Sequence, residues 1–138
     1  MSGELTILDG GMGGELIRRG FPSGGLWSAK ALVEKPEVVR AVHEDYVKAG
    51  ARVIITNSYS TVPSYLAKEN MQSRYVELTS IAARLAREVA DADATGVQVA
   101  GCLPPLSESY RPDLVPDDET SRPIYAEIVK ALSANVDL

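Results

Sequence analysis

Ile7-Leu8-Asp9-Gly10-Gly11-Met12-Gly13-Gly14-Glu15 sets the reading of the whole chain, because an apolar run stops at a carboxylate and passes straight into glycines. Asp9 becomes the last residue of an expected buried strand. Gly10 and Gly11 carry no Cβ, so a bound molecule can approach the backbone N–H groups of this turn closely. In α/β proteins ligands collect at the carboxyl ends of strands, which makes this turn the first candidate site. The competing role is local, with Asp9 capping the turn or the following helix and the glycines serving turn geometry.

Outward from this stretch, four short apolar, β-branched segments read as strands: Leu5 to Leu8, Val53 to Thr56, Val97 to Ala100, and Val136 to Leu138. Between them lie helical periods. Tyr75, Leu78, Ile81, Ala82, Leu85, Ala86 and Val89 recur at three- and four-residue spacing, which predicts an amphipathic helix of roughly five turns. Another helix is expected from Pro36, a residue suited to a first turn. It turns Val38, Val39, Val42, Tyr46 and Val47 inward and stops at Gly50. A third is expected over 123–133, with Ile124, Ile128, Val129 and Leu132 on one face and Thr120 or Ser121 as its cap.

The order strand, helix, strand, helix, strand, helix, strand predicts βαβ units on a parallel sheet. Strand starts fall about 40 to 48 residues apart, longer than a minimal unit. The surplus lies after each strand, in the loops 10–27, 57–71 and 102–119, where α/β proteins carry function. The last residues, Asn135-Val136-Asp137-Leu138, read as the opening of a fourth strand. An edge left open there suggests a truncated chain or a fragment that needs a partner, and a homodimer through open sheet edges is one way to cover it.

The 138 residues suit one compact domain. Apolar residues make up 45% and charged residues 24%, and no run approaches the roughly 20 apolar residues of a membrane span. Met1-Ser2-Gly3-Glu4 does not resemble a secretory signal, so the cytoplasm is the expected compartment. Net charge is −5, with 14 basic residues scattered among 19 acidic ones, which argues against nucleic acid as a partner and for a small molecule. Cys102 is the only cysteine, so these residues offer neither an internal disulfide nor a multi-cysteine metal site. A nucleotide-binding reading of the first loop fails on its motif. The third residue after Gly13 is Leu16, and the Lys-Ser/Thr of a phosphate loop is missing.

Five motifs occur in order: Asp9-Gly10-Gly11-Met12-Gly13, Leu26-Trp27-Ser28-Ala29-Lys30-Ala31-Leu32, Thr56-Asn57-Ser58-Tyr59, Ala100-Gly101-Cys102-Leu103-Pro104-Pro105 and Ser109-Tyr110-Arg111-Pro112-Asp113. Together they resemble the homocysteine S-methyltransferase family, along essentially the whole chain. The resemblance implies the N-terminal part of a TIM barrel, about three βα units plus the start of a fourth strand. It also implies methyl transfer from a sulfonium or ammonium donor, such as S-methylmethionine or betaine, to homocysteine, giving methionine. In that family zinc activates the thiol and is held by three cysteines, one midway along the barrel sequence and an adjacent pair near its end. None of these positions falls within this chain, so it is expected to carry no catalytic or metal-ligating residue and to be inactive alone. The alternative is a non-catalytic half-barrel that self-associates and at most binds small molecules.

The resemblance implies that Asp9 hydrogen-bonds the amino group of homocysteine and that Gly10 and Gly11 leave room for its amino-acid portion. Trp27, the sole tryptophan, stands in a glycine-rich loop and can wall the pocket with its π face toward a cationic donor, or simply plug the barrel end. Asn57 follows a strand and can orient substrate, or only form a turn. Cys102 also ends a strand, but a lone cysteine is commonly a small buried hydrophobe. His43, beside Glu44 and Asp45, is expected to face solvent. Tyr110 and Arg111 can serve as a lid or bind a carboxylate bidentately, or remain surface residues. Asp117, Asp118 and Glu119 suit the N-terminus of the third helix.

Overall fold

The computed structural model describes residues 5–21, 26 and 28–138. Two strands, β1 (Val53–Ile55) and β2 (Gln98–Ala100), pair in parallel with Ile54 opposite Val99. The expected first strand is reduced to a single parallel bridge, Leu8 to Val53. Its hydrogen bonds run from Arg52 N–H to the Ile7 carbonyl (2.7 Å) and from Asp9 N–H to the Val53 carbonyl (2.9 Å). On the far side of β2, the Val99 carbonyl accepts from Leu138 N–H, and the Leu138 carbonyl accepts from Gly101 N–H, bracketing Ala100 in parallel fashion. All four expected segments therefore lie side by side in chain order.

The first segment departs from expectation in its burial. Leu5 is 93% exposed, and Ile7 and Leu8 are more than half exposed. It has a hydrogen-bonding neighbour on one side only, so nothing described covers its outer edge or its apolar side chains.

Six α-helices flank the strands: α1 (Met12–Arg18), α2 (Ala29–Glu34), α3 (Pro36–Lys48), α4 (Pro63–Leu66), α5 (Tyr75–Ala92) and α6 (Asp118–Leu132). Helix α3 starts on Pro36, and Gly50, just beyond it, takes φ 109°, a left-handed turn that a Cβ would strain. Helix α5 runs five turns and buries Leu78, Ala82, Ala83, Leu85, Ala86 and Val89. Small residues on that face let the helix lie close to its neighbours. It contributes to each of three apolar clusters, against α1 to α3, against the sheet, and against α6 with Leu106. No described helix is long and apolar enough to cross a membrane.

Four helices differ from the sequence reading, which does not anticipate α2 and has only the expected loop 57–71 where α4 forms. Helix α1 lies inside the stretch expected to be a loop. Helix α6 begins five residues before Pro123, at Asp118, and its cap is Asp117, whose carboxylate accepts from Thr120 N–H at 2.9 Å. Neither Thr120 nor Ser121 caps it. Pro123 sits inside the helix, where its missing N–H forfeits one backbone bond near the N-terminal end, a tolerable loss beside a carboxylate cap and two further acidic residues in the first turn.

Candidate functional site

Asp9 ends the first segment, and its carboxylate turns inward with only 5% of the side chain exposed. Oδ2 accepts the Ile55 N–H at 2.9 Å, which ties the end of the first segment to the end of β1. Burial pushes the Asp9 carboxyl above its ordinary value, opposed by the hydrogen bond from Ile55. Among the described residues, the one basic side chain within ion-pair range is His43, with Nδ1 4.0 Å from Oδ2. Burial lowers the His43 imidazole to about 4, so it is neutral at pH 7 and supplies no counter-charge.

His43 corrects the sequence reading. It is fully buried rather than solvent-facing, and neither ring nitrogen has a hydrogen-bond partner among the described residues. The signal was present in the spacing: Val39, Val42, His43, Tyr46 and Val47 fall at i, i+3, i+4, i+7 and i+8, the inward stripe of α3. The same stripe presents Tyr46, also absent from the candidate set. Its hydroxyl donates to the Gly11 carbonyl at 3.3 Å. A Cβ on Gly10 would stand 2.8 Å from that hydroxyl oxygen, so any other residue there would push the Tyr46 side chain aside. A Cβ on Gly11 would meet nothing, and its side of the turn is open.

The loop after β1 is built differently. Asn57 is buried, and its Nδ2 donates to the Ser28 carbonyl at 3.1 Å, locking this loop to the start of α2. Ser60 Oγ accepts from Ala29 N–H, Ser58 Oγ donates to the Cys102 carbonyl, and Cys102 N–H donates to Thr56 Oγ1. Thr61 Oγ1 pairs with Thr79 at 2.7 Å. Asp9, Gly10 and Gly11 thus form one cluster with His43 and Tyr46, while Asn57 is joined to it through β1 and holds Ser28. Trp27 itself lies outside the described residues.

A cleft of about 540 Å3 opens between the loops after β1 and β2, lined by Tyr59, Tyr65, Lys68, Glu108, Ser109 and Tyr110. Lys68 Nζ lies 4.7 Å above the Tyr65 ring and 3.6 Å from Glu108. Arg111 spends its bidentate capacity on Asp113 in its own loop, at 2.8 and 2.6 Å. Cys102 is half-buried, with its thiol pushed up by burial. Among the described residues no three His, Cys, Asp or Glu side chains gather to hold a metal ion, so the donor set present does not fit a zinc centre.

Parallel strands in chain order, joined by helices that pack on them, define an α/β protein of the βα-repeat class. The homocysteine S-methyltransferase family model matches residues 6–138. The chain is 35% identical to the homocysteine S-methyltransferase of Escherichia coli K12 over 150 aligned positions, covering 98% of this chain and 48% of that protein. It is 36% identical to the S-methylmethionine–homocysteine S-methyltransferase BHMT2 of Rattus norvegicus over 110 residues, 80% of this chain and 29% of that one. The crystal structure of the metallated homocysteine methyltransferase MmuM from Escherichia coli superimposes with a TM-score of 0.84 at 34% identity, covering 99% of this chain and 53% of that one. The chain belongs to the homocysteine S-methyltransferase family, and it spans about half or less of the length of the relatives it matches.

Proposed function

We propose that this segment is the N-terminal half of a (βα)8 barrel that transfers a methyl group from a sulfonium or ammonium donor to the sulfur of homocysteine, giving methionine. The reaction forms a carbon–sulfur bond and breaks the donor's bond to the same methyl carbon, while the homocysteine thiol loses its proton and the donor leaves as a neutral sulfide or amine. Asp9, Gly10, Gly11, Trp27 and Asn57 form one wall of the homocysteine pocket. Asn57 contributes by holding Ser28 at the start of α2. The zinc implied by the family resemblance would take its ligands from outside these residues and would supply activation of the homocysteine thiol.

The observation that carries this reading is the Asp9 carboxylate, buried beside a neutral imidazole and without a described cation. An uncompensated buried charge is costly. The ammonium group of an amino acid supplies the missing positive charge and donates hydrogen bonds to the free carboxylate lone pairs. The test is methionine formation by the full-length protein from L-homocysteine with S-methylmethionine or betaine. Turnover dependent on both substrates is expected, and its absence with either donor contradicts the reading.

Exposure of Leu5, Ile7, Leu8 and Leu103 favours a second reading, a non-catalytic half-barrel that self-associates over these side chains. Sedimentation of the 138-residue chain distinguishes it: a stable dimer without activity supports this alternative, and a monomer removes it.

A further inference from the structure

We propose that His43 is a positioning residue for the amino-acid ligand: when an ammonium group docks on Asp9, the imidazole closes on the carboxylate and donates its Nδ1–H to Oδ2. This rests on the reading that Asp9 receives the amino group.

Three observations point the same way. His43 is fully buried and, among the described residues, neither ring nitrogen has a partner, a state that costs free energy unless some condition of the protein satisfies it. The polar atom it faces is Asp9 Oδ2 at 4.0 Å, about 1 Å beyond hydrogen-bond distance. That carboxylate accepts one strong bond, from Ile55 N–H, and an ionised carboxylate has about four acceptor sites, so capacity remains for an ammonium group and an imidazole together.

The scaffold also fits such a movement. His43 and Tyr46 lie one helical turn apart on α3. Tyr46 is already bonded to the Gly11 carbonyl, so α3 grips the turn at one point and faces it unbonded at the other. A neutral imidazole suits the task better than a charged one. It donates a hydrogen bond to the carboxylate while leaving the negative charge available to the ligand.

The test compares three variants of the full-length protein in binding of L-homocysteine. Asn places its amide nitrogen near the position of imidazole Nδ1, whereas Leu fills similar space with no donor. His43→Leu is expected to raise the homocysteine Kd about ten-fold or more, the scale of a hydrogen bond to a charged group. His43→Asn is expected to restore most of the lost affinity, and Asp9→Asn to be at least as damaging as His43→Leu.

If His43→Leu binds homocysteine as tightly as the parent while Asp9→Asn does not, the positioning role is overturned and the Asp9 reading stands. If Asp9→Asn binds as tightly as the parent, both fall. Long-range proton–nitrogen correlation spectra of the unmodified protein provide a readout that needs no folded variant. His43, the single histidine of these 138 residues, should show a protonated Nδ1 and an unprotonated Nε2 in the homocysteine complex. A proton held on Nε2 in that complex overturns the proposal.

Discussion

The Asp9–His43 pair at the end of the first segment and the loop after β1 both bury polar side chains, yet they are satisfied to opposite degrees. In the second, Thr56, Asn57, Ser58, Ser60 and Thr61 are each less than 5% exposed, and their side chains bond to one another, to Ser28, Ala29 and Cys102 backbone, or to Thr79. In the first, Asp9 holds one backbone bond and His43 none. Buried polar groups that find partners inside the chain fix architecture. Those left without partners, in the proposed function, await the ammonium group of the ligand. The contrast separates a scaffold from a site within two adjacent loops of one sheet.

The largest expected effect is on acid stability. The unfolded His43 takes up a proton near its ordinary value of 6.5, whereas the folded one resists until about 4. Its share of folded stability is therefore complete above 6.5 and lost as pH falls toward 4, by an amount of about 3 kcal/mol. Asp9 works in the opposite sense. Its raised carboxyl binds a proton more readily in the folded state, so folding is favoured as pH falls through that raised value. Urea unfolding between pH 7 and pH 4.5 should show a flatter acid limb in His43→Leu and a steeper one in Asp9→Asn. Identical limbs in all three proteins break the account of this pair.

Next in size is Thr61→Val, which keeps the shape but orphans the Thr79 hydroxyl and leaves the Ser58 carbonyl with only the backbone N–H of residue 61. A loss of about 1–3 kcal/mol in folding stability is expected, with homocysteine affinity unchanged. Gly10→Ala forces a Cβ against Tyr46 and should cost about 1–2 kcal/mol, partly relieved when Tyr46 is replaced by Phe; additive losses in the double variant contradict the close contact. Gly11→Ala is the smallest, within about 0.5 kcal/mol in stability, and a measurable rise in homocysteine KM would sharpen the assignment of its open side to the ligand.

Much of this organisation is legible in the sequence. Pro36 and Gly50 bounded α3, and the stripe from Tyr75 to Val89 defined α5, because terminal residues and long periodic faces act locally. Helix α1 escaped because Gly13 and Gly14 lie within it, and glycine inside a helix argues against helix on propensity alone. The start of α6 was read from Pro123, while Asp117 set it instead, since a side-chain cap outweighs a proline still near the N-terminal end. His43 was misread from its acidic neighbours in sequence. In a helix the neighbours that decide burial lie three and four residues away, and those are Val39, Tyr46 and Val47. Asp9 and its glycines were visible from the break in pattern, but the His43 and Tyr46 that complete the cluster are brought there by the packing of α3, which no local motif records.

The central claim, that the unsatisfied loop is the site and the satisfied loop the scaffold, is tested most directly by placing Asp9→Asn beside Thr61→Val in one calorimetric titration with L-homocysteine, paired with thermal unfolding. Asn keeps an acceptor for the Ile55 N–H and removes a buried charge. Asp9→Asn should therefore weaken homocysteine binding by roughly 100-fold without lowering the melting temperature, while Thr61→Val lowers the melting temperature and leaves binding intact. The reverse pattern, a destabilised Asp9→Asn that still binds homocysteine and a stable Thr61→Val that does not, would contradict it.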